Sequence, residues 1–220
     1  AIFRGISADK VRVIPNGVDL QLCETGQQQR DILQQHFPQI HPGQQYMLTL
    51  GRPVKRKGFS WLLKEVIPHL PSDFKLYMVG PFQQRARGTE KLMRLLPTGF
   101  RRLLNLFLGF PTDEPAIRKL LQQPDIAQRV QHLGKVPLSD LKLLLAHSSA
   151  FLMPNIKVLG DMEGFGLVCL EASLSGSLVI AAGIEGITDA ISPGKNGLLL
   201  PSGDPTAWID QLQDVLRQTS

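Results

Sequence analysis

Short apolar runs alternate with longer amphipathic stretches along most of this chain. Tyr46, Met47 and Leu48 lie in one run, within residues 45–50, that ends at Gly51, and residues 74–79 make a second that ends at Gly80. Residues 129–133, 150–153, 178–182 and 197–200 read as further runs, stopped by Gly134, Pro154, Gly183 and Pro201. Short, mostly apolar segments closed by glycine or proline are the pattern of strands buried on both faces. A short strand is also expected at residues 11–14, before the Asn16-Gly17 turn signal. Helical spacing fills the intervals. Residues 59–70 carry Trp61, Leu62, Leu63, Val66 and Ile67 on one stripe, and residues 138–147, 167–175, 186–191 and 205–217 read as helices, the first capped by Ser139 or a neighbour. Residues 20–43 are polar and glutamine-rich, a connecting segment with a helix in it, and residues 81–128 form a long excursion with helices of its own. Strands alternating with helices predict an α/β fold: a doubly wound parallel sheet of about six strands, covered on both faces.

The stretch from 153 to 171 departs most from this rhythm. After the run 150–153, a loop carries Pro154, Asn155, Gly160, Glu163, Gly164 and Gly166, and then the helix 167–175 begins. That helix is apolar nearly all round, which predicts burial, yet Glu171 lies within it and is the only charged residue between Gly164 and Ile184. A carboxylate in apolar surroundings needs a partner, either a protein cation or the hydroxyl groups of a ligand. The glycines let backbone pass close to a ligand, and a helix start offers unpaired N–H groups and a positive dipole end. A second basic loop follows the run 45–50: Arg52, Lys55, Arg56 and Lys57 lie between Gly51 and Gly58. A solvated turn is the usual fate of such a charge run, but open α/β sheets bind ligands at the carboxyl ends of their strands, and this loop occupies such a place. Together the two loops describe a pocket for a molecule with phosphate and hydroxyl groups.

Composition narrows the classes. A chain of 220 residues is one large domain or two small ones, and with 43% hydrophobic residues it can bury a substantial core. No apolar run reaches the roughly 20 residues of a membrane span. Cys23 and Cys169 give no disulfide framework, and a reducing, cytoplasmic setting fits them; Cys169 reads as a small core residue. His36, His41, His69, His132 and His147 have no metal-ligand spacing, so no metal site is expected. The net charge of +5 points to an anionic partner. The chain opens Ala-Ile-Phe-Arg-Gly, which is no signal peptide and reads as the start of a fragment. The dinucleotide fingerprint is absent after residues 45–50, Gly164-Phe165-Gly166 matches only half of it, and no Walker loop or nucleophile elbow occurs.

The pieces Val13-Ile14-Pro15-Asn16-Gly17-Val18-Asp19, Gly51-Arg52 with Lys57-Gly58, Glu163-Gly164-Phe165-Gly166 with Glu171-Ala172, Gly186-Ile187-Thr188-Asp189 and Gly194-Lys195-Asn196-Gly197-Leu198-Leu199 run through nearly the whole chain in a telling order. In that order and spacing they resemble the donor-binding C-terminal half of the retaining GT-B glycosyltransferases, the group 1 family that includes glycogen synthase and sucrose synthase. The resemblance implies a Rossmann-like domain over 1–220, with 1–44 as linker and connecting segment, 81–128 as a helical insertion, and an N-terminal acceptor domain that this sequence does not include. It implies a nucleotide-diphosphate sugar as substrate, transfer to a glycan or lipid acceptor with retention, and no cofactor, metal or nucleic acid.

By the same resemblance Arg52 and Lys57 would hold the diphosphate. Glu163 would be the catalytic carboxylate at the donor sugar, the amides of Gly164, Phe165 and Gly166 would line the site, Glu171 would accept from the ribose hydroxyls, and backbone at Lys135 and Val136 would meet the base. Departures are Ser177, where proline is common, and Thr188 and Asp189, where proline and glutamate are frequent in the loop facing the phosphates. The loop 156–161 is longer than in many members, which favours a bacterial enzyme acting on a surface or secreted glycan. A non-hydrolysing nucleotide-sugar epimerase and a non-catalytic nucleotide-binding module are the alternatives. Residues 85–108 alternate cations with Leu, Met and Phe, which fits either helices packed on the domain's flank or peripheral contact with an anionic membrane surface.

Overall fold

Strands β1 (Met47–Leu50), β2 (Leu76–Val79), β3 (Val130–Gly134), β4 (Ala150–Met153), β5 (Leu178–Ala182) and β6 (Leu198–Leu200) form a parallel sheet. Their order is β3-β2-β1-β4-β5-β6, the doubly wound arrangement expected. The computed structural model describes residue 18, residues 27–82 and residues 112–219, so the expected strand at 11–14, Cys23 and the segment 85–108 lie outside the described residues.

The central strands are apolar because both their faces are covered. Met47, Leu48, Phe151, Leu152, Val179 and Ile180 are essentially inaccessible. Among the described residues the α-helices are α1 (Gln27–His36), α2 (Phe59–Trp61), α3 (Glu114–Leu120), α4 (Pro124–Ala127), α5 (Leu138–Ala146), α6 (Leu167–Leu174), α7 (Ile187–Ala190) and α8 (Pro205–Thr219). α8 plugs the core with Trp208, whose ring meets Trp61 edge-on at 5.9 Å and whose Nε1–H donates to the Pro201 carbonyl at 3.1 Å. No helix among the described residues is long and apolar enough to cross a membrane.

Two local expectations need correction. The single helix expected over 59–70 is a succession of α2, a π turn at Leu62–Val66 and a 3₁₀ turn at Ile67–His69. Pro68 has no N–H to donate to the turn before it, and the path widens and then tightens around that gap, still burying Phe59, Leu62, Leu63, Val66 and Ile67. α5 follows Pro137 and takes no side-chain cap; the Ser139 hydroxyl turns to Asp140 instead, at 3.3 Å.

The register positions the site. β1 matches β2 over its whole length, from Met47 opposite Leu76 to Leu50 opposite Val79, but pairs with β4 only at Met47 with Ala150 and Leu48 with Phe151. Beyond Leu48 the two chains part. This is where strand order reverses, so a crevice opens between the loops that leave β1 and β4.

Candidate functional site

The loop after β1 turns back on itself at once. Lys55–Lys57 form one 3₁₀ turn that closes on Gly58, whose φ of 66° is left-handed. A Cβ at Gly58 would lie 1.9 Å from the Pro154 carbonyl oxygen, so only glycine lets the two loops touch. Residues 112–114, where the long excursion returns, clamp the same loop. Thr112 Oγ1–H donates to the Pro53 carbonyl at 2.9 Å, and the buried Asp113 carboxylate accepts the Ser60 N–H at 3.1 Å.

From β4 the chain runs through Asn155 into a tight bend bridging Val158 and Asp161, and then into Glu163. Lys57 Nζ lies 2.7 Å from Glu163 Oε2. Asn155 Nδ2–H donates to the same oxygen at 3.2 Å, and Arg56 Nε is 3.7 Å from it and 3.5 Å from Asp161 Oδ1. Burial pushes the Glu163 carboxyl up, but the Lys57 bond and charge, with Arg56 and Asn155, outweigh it and hold the group below its ordinary value. The Glu163 N–H donates in turn to Glu185 Oε2 at 2.6 Å, from a residue with φ of 53°. A Cβ on the next residue, Gly186, would fall 1.9 Å from the Gly164 carbonyl, so the loop before α7 is wedged against the start of α6.

α6 is entered through Gly166, whose φ of 78° is left-handed. The expectation that α6 is buried all round is wrong in part. Cys169 and Ala172 are fully buried, but Leu167 is 39% exposed and Glu171 is half-buried. One face packs on β4 and β5 and the other is partly exposed, a division that sequence hydrophobicity alone cannot give. No cation among the described residues pairs with the Glu171 carboxylate.

The family described as glycosyl transferases group 1 matches residues 44–218. The chain belongs to this family. A D-inositol 3-phosphate glycosyltransferase of Corynebacterium urealyticum is 31% identical over 143 residues, covering 60% of this chain and 32% of that protein. This chain thus spans about a third of the length of that curated relative. Anabaena HepE, solved in complex with UDP, superimposes with a TM-score of 0.70 at 21% identity, over 100% of this chain and 51% of HepE. The C-terminal domain of a group 1 family protein, LpcC of Francisella tularensis, superimposes with a TM-score of 0.62 at 20% identity, over 91% of this chain and 88% of that domain. The fold is that of a GT-B group 1 glycosyltransferase domain.

The residues singled out in the sequence of this glycosyltransferase-family domain fall at the carboxyl ends of the strands. Lys57 and Glu163 are in contact, and Gly164, Phe165 and Gly166 lead from Glu163 into α6. Arg52 is exposed just past β1, and Lys135 and Val136 follow β3, exposed and half-buried respectively. Next to them His132 Nε2–H donates to the Gly80 carbonyl at 2.8 Å, and its ring stacks on Phe82 at 3.6 Å. Arg56, Asn155, Asp161 and Glu185 also belong to this cluster; in the sequence Arg56 was read only as one of the basic loop's four cations and Asn155 only as a loop residue, and Asp161 and Glu185 carried no role. Their charges could be read there, but their convergence depends on two loops meeting across the β1/β4 crevice. A cavity of about 930 Å³ lies at the opposite pole, lined by His41, Gln44, Asp73 and Lys75 among others. It is remote from the switch point and the Lys57 cluster, so it is not the candidate site.

Proposed function

We propose that this chain is the donor-binding unit of a retaining glycosyltransferase that transfers a sugar from a nucleotide diphosphate to a glycan or lipid acceptor. The pairing of Lys57 with Glu163 at the sheet's switch point carries this reading. It puts a cation suited to phosphate beside a carboxylate suited to sugar hydroxyls, at the start of α6 where N–H groups and a positive dipole favour anions. Arg52 and Lys57 would hold the diphosphate and, with the helix start, neutralise it as it leaves, so that no metal is required. Glu163 would orient the sugar, the amides of Gly164, Phe165 and Gly166 would line its pocket, and Glu171 would accept from the ribose. Backbone at Lys135 and Val136 would meet the base. The HepE structures with UDP and with UDP-glucose support a nucleotide-sugar as the donor class.

The acceptor would be held by a second domain outside this sequence. Aligning it with the donor's anomeric carbon supplies much of the rate, so residues 1–220 alone would bind donor without transferring sugar. The deciding experiment is a thermal-shift and calorimetry panel of UDP, GDP, ADP and their sugars, with Lys57→Gln as control. Stabilisation by one diphosphate series, lost in Lys57→Gln, is expected. No shift with any of them, or binding indifferent to Lys57→Gln, would overturn the reading.

A further inference from the structure

Arg56 lies between the two carboxylates of the 154–166 loop, and its guanidinium is incompletely served. Nε is buried and makes no hydrogen bond among the described residues. Asp161 Oδ1 at 3.5 Å and Glu163 Oε2 at 3.7 Å are close enough for charge attraction, but neither gives the distance and alignment of a hydrogen bond. A buried donor in this state gains from any movement of an acceptor toward it. Glu163 is kept off Arg56 by its shorter contact with Lys57 Nζ, at 2.7 Å. Asp161 attracts the guanidinium, and the main chain at Arg56 is fixed by its carbonyl, which accepts the Ile156 N–H at 2.9 Å.

Two demands fall on Lys57. In the proposed function, on which this inference rests, it neutralises a diphosphate; in this structure it neutralises Glu163. A diphosphate carries more charge than a carboxylate and would draw Lys57 to itself. Glu163, whose side chain is only 14% exposed, would then need another partner. We infer that Arg56 is a positioning residue that takes over Glu163 when an anionic diphosphate takes Lys57. A movement of about 1 Å by the carboxylate converts the long Arg56 contact into a charge-assisted hydrogen bond. The orphaned Nε–H is satisfied, and Glu163 stays fixed while the cation it lost is used elsewhere. Arg56 thereby lowers the cost of freeing Lys57 without touching the diphosphate.

The test is a double-mutant cycle on the 220-residue chain, read by calorimetry with inorganic pyrophosphate at low salt. Arg56→Gln is expected to weaken pyrophosphate binding about fivefold, because Lys57 is then the only cation on Glu163 among the described residues. In the Glu163→Gln background no carboxylate competes for Lys57, and the same change is expected to alter affinity by less than about twofold. Glu163→Gln alone is expected to bind pyrophosphate more tightly than wild type. Equal losses for Arg56→Gln in both backgrounds would mean that Arg56 acts on the anion directly or through its field, and would overturn the inference. Lys57→Gln separates this from the site reading. If it leaves pyrophosphate affinity unchanged, the phosphate role of the site fails; if it weakens binding while the cycle is additive, only the hand-over fails. Should circular dichroism show Arg56→Gln to be unfolded, Arg56→Lys repeats the cycle, since lysine keeps the charge and lacks the Nε–H.

Discussion

Glu171 and Cys169 stand two positions apart on α6 and have opposite surroundings. The Cys169 thiol is fully buried, with its Sγ 3.0 Å from Met153 Sδ, and burial pushes it up to about 12. The thiolate is the reactive form, so the native chain should resist alkylation at neutral pH and react at this position only on unfolding. Iodoacetamide labelling followed by peptide mass analysis, with and without urea, checks it; rapid labelling of native Cys169 would contradict the packing described. Glu171 is half-buried and has no cation beside it among the described residues. In the proposed site it accepts from ribose hydroxyls. Glu171→Ala should then weaken nucleotide binding by about 1–3 kcal/mol, the scale of a lost buried polar partner. Its effect on inorganic pyrophosphate should be small, because that probe has no ribose. Calorimetry with both ligands distinguishes these outcomes, and equal loss for the two would remove the ribose role.

Among the elements, the loop after β1 depends most on parts distant in sequence. α2 starts at Gly58, which has no side chain to cap it, and Asp113 does the capping from 53 residues away by accepting the Ser60 N–H. Asp113→Ala should lower stability by about 1–2 kcal/mol, as loss of an N-cap carboxylate does, and should loosen the loop carrying Arg52, Arg56 and Lys57. Urea denaturation gives the first effect. Amide exchange gives the second, as faster exchange at Ser60 and in the turn 55–58 than at the centre of β1. Unchanged exchange in the loop would show that the turn holds itself.

At the scale of the whole molecule, acid should destabilise the fold in two separable windows. His132 has its value lowered from the ordinary 6.5, chiefly by burial. The unfolded chain therefore takes up a proton first, and stability begins to fall as pH drops through 6.5 toward the lowered folded value. Glu163 is also lowered, from an ordinary 4.5. Its contribution is fully present above 4.5 and is lost as pH falls through its own lower folded value. Glu163→Gln should remove the lower window and leave the upper one. Melting temperature measured from pH 8 to pH 3 for both chains is the check; an identical acid limb in the two would show that the Lys57 and Arg56 cluster does not stabilise ionised Glu163.

Sequence alone determined the layers of this protein. Buried parallel strands must be apolar and short, and glycine or proline must stop them, so the six described strands could be placed to within a few residues. The basic loop after β1 and the glycine loop after β4 could be read as sites for the same reason, since strand ends are where an open sheet leaves backbone unpaired. Tertiary structure decided what depends on contact between distant segments. The apolar stripe over 59–70 gave no sign of the π turn, because Pro68 acts through the hydrogen bonds it withholds. The composition of α6 could not show that Leu167 and Glu171 stay partly exposed, because exposure depends on what packs against each face. Nor could sequence show that Lys57 pairs with Glu163 while Arg56 is left with an unmade hydrogen bond. Those charges are about a hundred residues apart along the chain, and only the divergence of β1 from β4 sets their ångström-scale distances, on which charge interactions depend.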